Sequence, residues 1–141
     1  MADLESLIRL NKHELDEKRR VLGELYSVLT LLERERRDLQ HAFEMEKEAV
    51  AASGDIHFTF AGYAEKVKLH NLDIDKRQAA LEKQIEQAKD SLMETFSELK
   101  KYEMTQAARA RAEEQALKTK ESKELDEIGL ESFRRKQEEE A

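Results

Sequence analysis

Side chains do chemistry only where the right groups are held together, and here they are scattered. The four histidines are His13, His41, His57 and His70, and no two stand three or four residues apart, the spacing that would aim both at one metal from a helix face. Asp38-Leu39-Gln40-His41 is a solitary carboxylate-x-x-His unit, whereas a di-iron site in a helical bundle needs two such units and further glutamates. There is no cysteine, which excludes disulfides and Cys-ligated metals and fits a cytosolic protein. Gly23, Gly54, Gly62 and Gly129 are isolated, so neither a phosphate-cradling loop nor a dinucleotide fingerprint is present. Carboxylates are plentiful, but on a solvated helix face they keep near-ordinary acidity and hold no substrate against themselves. The expectation is a protein that is not an enzyme, with no cofactor, no metal and no small-molecule substrate.

The elements that could position any of these groups are long helices. Of 141 residues, 40% are charged and only 6% aromatic, with no proline and no tryptophan; the mean hydropathy is -0.83. Bulky apolar surface is too scarce for a sheet stacked under helices, while Leu, Ala, Glu, Lys, Arg and Gln supply strong helix formers. The length allows one domain. Residues 1–52 carry 9 basic and 12 acidic groups, 53–105 carry 8 and 10, and 106–141 carry 8 and 10. With a net charge of -7 spread in this way, no positive face is concentrated enough to expect nucleic acid as a partner. No apolar run reaches the roughly 18 residues of a membrane span, and the N-terminus lacks the order of a secretory signal.

Positions 4, 8, 11, 15, 18, 22, 25, 29, 32, 36, 39, 43, 46 and 50 alternate steps of four and three. Leu4, Ile8, Leu15, Leu22, Leu25, Leu29, Leu32, Leu39, Phe43 and Val50 make most of them apolar. A seam this narrow pairs with another helix, as in a coiled coil. The polar seam residues Asn11, Lys18, Arg36 and Glu46 either snorkel from a thin seam or fix its register. The repeat stops at Ala51-Ala52-Ser53-Gly54-Asp55, where glycine can close a helix. Thr59 then reads as an N-cap, with Phe58 placed to staple onto Tyr63.

A second seam follows through Phe60, Tyr63, Val67, Ile74, Leu81, Ile85, Ala88, Leu92, Leu99 and Tyr102, with two consecutive steps of four expected at Leu81, a stutter. A connection of about six residues is too short for parallel neighbours, so the helices fold back antiparallel, with facing residue numbers adding to about 110. Two such helices enclose no cavity of the few hundred cubic ångströms that substrates need. The expected organisation is a first coiled-coil helix at 1–52, a turn at 53–58, a second helix at 59–106 and a polar extension at 107–141. The paired part would be about 75 Å long.

On this register helix one runs out near position 106, leaving the extension without an internal partner. From Thr105 to Glu124 the only large apolar residue is Leu117, which describes a solvated single helix or a frayed tail. Leu125, Ile128, Leu130 and Phe133 then restore apolar character, and an apolar stripe at a free end reads as a docking surface or as a weakly self-associating or frayed end. Gly129 favours a bend or an end in this segment.

Two stretches resemble a known family. Leu7-Ile8-Arg9-Leu10-Asn11-Lys12-His13-Glu14-Leu15 and Lys123-Glu124-Leu125-Asp126-Glu127-Ile128, the latter followed by Phe133-Arg134-Arg135, are similar to segments of the bacterial flagellar export protein FliJ family, cytoplasmic components of the flagellar type III export apparatus. The resemblance implies an all-α fold, a long antiparallel two-helix coiled coil with a C-terminal helical overhang, similar to the central stalk of rotary ATPases. It implies a non-catalytic stalk acting with the hexameric flagellar export ATPase, the export gate membrane protein and export chaperones, peripherally placed at the cytoplasmic face of the inner membrane. Carried onto the matching positions, it implies Arg9, Lys12, Leu125, Asp126, Ile128, Phe133 and Arg134 as partner-binding residues. His13 and Gly129 depart from the family's pattern. The competing reading is a generic cytoplasmic coiled-coil scaffold or adaptor.

Overall fold

The computed structural model describes residues 3–54 and 58–140. Helix α1 spans Leu4–Ser53 and helix α2 spans Phe58–Glu140, and the described residues contain no strand. The fold is all-α: an antiparallel helical hairpin in which α2 continues as a helical overhang. Asp3 starts α1 by accepting the Glu5 backbone N–H at 3.2 Å and the Ser6 hydroxyl at 3.3 Å, which satisfies donors that a helix start leaves unpaired. Gly54 closes α1 with φ of 73°, the left-handed conformation that glycine adopts without a steric penalty. Residues 55–57 and the side chain of Phe58 lie outside the described residues, and the expected Phe58–Tyr63 staple lies there with them. α2 begins at Phe58, so Thr59 is a helical residue instead of the expected cap.

Residues 12–96 form one compact unit. Its core is Leu32, Ile74, Leu81 and Ile85, with Leu22, Leu25, Leu29 and Leu39 packed against it. Ile74 is fully buried. The first seam is inside as expected; along its whole length only Glu46 is exposed. On α2 the seam differs in one respect, because half-buried Asn71 and Gln78 occupy the slots between its apolar residues while His70 and Arg77 face outward. The consecutive steps of four therefore fall at Tyr63–Val67–Asn71, and the stutter expected at Leu81 is absent. The cause is that Asn71 and Gln78 carry no apolar signal. Phe43 stacks on Phe60 at 5.9 Å and on Tyr63 at 6.3 Å between ring centres, filling the end of the hairpin beside the turn.

Residues 1–11 and 97–141 form the other unit. Ile8, Asn11 and Leu99 are buried in it, and from Met104 to Glu140 every residue is exposed. α2 runs through Gly129 without ending, against the expected break: one helical glycine costs about 1 kcal/mol relative to alanine, and Leu, Glu, Lys and Arg around it are strong helix formers.

Candidate functional site

Within the unit of residues 1–11 and 97–141, the overhang presents Leu125, Ile128, Leu130 and Phe133 at 68, 62, 70 and 62% exposure. Four large apolar side chains are thus mostly in water on one short stretch of helix. Phe133 and Arg134 join Glu127, Leu130 and Glu131 around a shallow surface depression, and Glu131 accepts a hydrogen bond from Arg135 at 3.1 Å. Glu127, Leu130, Glu131 and Arg134 share one helix face by their three- and four-residue spacing. The two glutamates were not singled out in the sequence reading, because their shared face exists only on a helix that continues through Gly129. Asp126 is exposed on the same helix. Arg9 is exposed and pairs loosely with Glu5 at 3.9 Å, and the lone residue before its buried neighbour Asn11, Leu10, is 62% exposed. Lys12 is exposed in the unit of residues 12–96.

That hairpin unit carries polar links that cross between the helices. Lys18 Nζ donates to the Ser91 carbonyl at 3.1 Å and to the buried Thr95 hydroxyl. Arg36 donates to Asp75 at 2.6 Å and to Gln78 at 3.0 Å. Glu35 accepts both guanidinium arms of Arg77 and lies 2.9 Å from His70 Nε2, while Arg77 Nε donates to Asp73 at 3.0 Å. The Arg77 hydrogen bonds, then the His70 one, pull the Glu35 carboxyl down from 4.5 to about 2. Of the polar seam residues, Lys18 and Arg36 each reach across to named acceptors on α2. Asn11 in the other unit is 7% exposed with no partner for Nδ2.

Beside Glu35 and Arg77, Val28, Leu31, Ala80 and Gln84 line an open groove floored by Leu32 and Leu81, about 340 Å³ in volume. It is a furrow between two helices, open to solvent along its length. Among the described residues, no group of three or more His, Cys, Asp or Glu is placed to hold a metal ion, and no helix is long and apolar enough to cross a membrane. What the exposed stretch of α2 offers is contact: apolar and charged side chains in water.

Comparison with known proteins gives one match. The family model described as flagellar FliJ protein matches residues 1–138. No curated protein and no solved structure matches the chain.

Proposed function

Because this chain belongs to the FliJ family of flagellar proteins, a family of flagellar export components, we propose that it is the non-catalytic stalk of the flagellar type III export apparatus. In this reading the overhang of α2 docks into the hexameric export ATPase and promotes its assembly. The protein also links the ATPase to the membrane-embedded export gate and meets export chaperones, and it works at the cytoplasmic face of the inner membrane through those contacts. Hydrolysis belongs to the ATPase; the stalk contributes position and leverage.

The observation that supports this best is the exposure of Leu125, Ile128, Leu130 and Phe133 on a helix whose every residue from Met104 to Glu140 is in water. Burying four such side chains in a partner contributes about 1.5–3 kcal/mol each before the costs of association. Asp126 and Arg134 beside them supply charges of both signs that orient the contact and raise its on-rate. Arg9 and Lys12 are proposed to contribute from α1.

The test is sedimentation of the chain alone, followed by an ATPase assay with the cognate export ATPase. A stalk is monomeric and stimulates hydrolysis. A stable dimer that leaves hydrolysis unchanged overturns the reading in favour of a scaffold.

A further inference from the structure

The seam of the hairpin unit nearly repeats itself every seven residues. On α1, Leu15, Leu22 and Leu29 are so spaced, as are Leu25, Leu32 and Leu39; on α2, Val67, Ile74, Leu81 and Ala88 follow the same interval. Sliding one helix by seven residues therefore sets apolar side chains against apolar side chains, and the leucines alone choose no register. The polar links must then be compared in each direction. In the slide that would draw the last turns of α1 into the connection, Arg36 leaves Asp75 and Gln78 for Lys68 and Asn71, and Lys18 leaves Ser91 and Thr95 for Gln84 and Ala88. A like charge meets Arg36, and an ammonium in the seam loses its hydroxyl.

The opposite slide keeps Arg36, Lys18 and Glu35 partnered, although Arg36 trades Gln78 for Ile85 and Asp75 comes beside Phe43 in the place of Lys68. Arg36 passes from Asp75 to Glu82, Lys18 from Ser91 to Glu98, and Glu35, which already holds Arg77 on one side, passes from His70 to Arg77. What this slide loses is at the turn: the first turn of α2 enters the connection, and Phe60 leaves the stack that Phe43 makes with it and with Tyr63. It also sets Ile8 against Arg109 by register, a cost that keeps the slid state minor. We infer that this hairpin has one alternative register, seven residues along, and that the Phe43–Phe60–Tyr63 stack is the latch that holds it off. The slide is one-directional, because the polar links re-form on one side only.

Since the chain has no cysteine, pairs introduced into the full-length protein report register without background. Tyr26→Cys with Lys89→Cys reads the observed register, in which the Lys89 ammonium lies 5.9 Å from the centre of the Tyr26 ring. Tyr26→Cys with Phe96→Cys reads the slide proposed, and Tyr26→Cys with Glu82→Cys the forbidden one. With a short bismaleimide, the first pair should crosslink at least about tenfold faster than the second. Adding Phe43→Ala should raise the second rate by about tenfold, the effect of losing one well-placed aromatic pair, and leave the third pair without detectable crosslinking. A second rate indifferent to Phe43→Ala, or a third pair that crosslinks at a rate comparable with the second, overturns the inference. If circular dichroism shows that Phe43→Ala costs the helices themselves, Phe43→Leu carries the same comparison with the same expected order.

Discussion

Glu35 on α1 and Arg77 on α2 meet across the hairpin through two near-parallel hydrogen bonds, Nη2 to Oε1 at 2.7 Å and Nη1 to Oε2 at 3.0 Å. The planar guanidinium fork matches the two carboxylate oxygens, so the pair fixes distance and angle together. His70 shares Oε1, so one carboxylate of α1 gathers two groups of α2, and Asp73 holds Arg77 from behind.

The pair predicts an acid-sensitive increment of stability. Glu35 is depressed from 4.5 to about 2 by Arg77 and His70, so its contribution is complete above the unfolded value of 4.5 and is lost as pH falls toward 2. Thermal unfolding followed by circular dichroism should show Glu35→Gln less stable than the parent at pH 7. The two curves should converge between about pH 4.5 and 2. Curves that stay parallel through that window would show that the bidentate pair does not hold in solution.

Both seams, the direction of the return and the closing of α1 at Gly54 were legible in the sequence, because apolar residues at three- and four-residue steps and an isolated glycine report on burial and backbone directly. The cross-helix links were not. Asn71 and Gln78 sit in the α2 seam unannounced, since a pattern of apolar residues passes over polar ones; the stutter was misplaced for that reason. The continuous helix through Gly129 was hidden too, because a local penalty of about 1 kcal/mol says nothing of the helix formers that outweigh it. At the overhang, Leu125, Ile128 and Phe133 were visible as apolar residues without an internal partner, and Glu127 and Glu131 became visible only once the helix was continuous.

Asn11 offers a test of what a buried polar residue costs. It is the only buried side-chain nitrogen or oxygen among the described residues without a hydrogen-bond partner, at 7% exposure. An unsatisfied amide in an apolar seam costs about 1–3 kcal/mol. Asn11→Leu should therefore raise the stability of the chain by about 1–2 kcal/mol in urea unfolding, part of the gain being lost to repacking. A loss of stability would mean that the amide is satisfied after all.

Ile74 and Leu69 separate burial from composition. Ile74 is fully buried in the cluster with Leu32, Leu81 and Ile85, whereas Leu69 on the same helix is 58% exposed. Ile74→Ala should cost about 2–4 kcal/mol, by lost transfer energy and the cavity left behind. Leu69→Ala should stay within about 0.5 kcal/mol, since alanine is the better helix former and little contact is removed. Equal effects at the two positions would refute the packing described.

The overhang makes the sharpest separation between stability and function. Leu125, Ile128 and Phe133 are 62–68% exposed, so replacing all three with alanine removes little packing and improves local helix propensity. The triple variant should unfold at the temperature of the parent, within the experimental spread of a surface substitution. Docked in a partner, the same three side chains would each contribute about 1.5–3 kcal/mol, so binding should weaken by two orders of magnitude or more. Titrating the variant against the export ATPase and reading stimulated hydrolysis checks this directly. If stimulation survives at the parent's concentration dependence while the melt is unchanged, the ATPase is met by another surface, and the place of Arg9 and Lys12 on α1 becomes the next one to substitute.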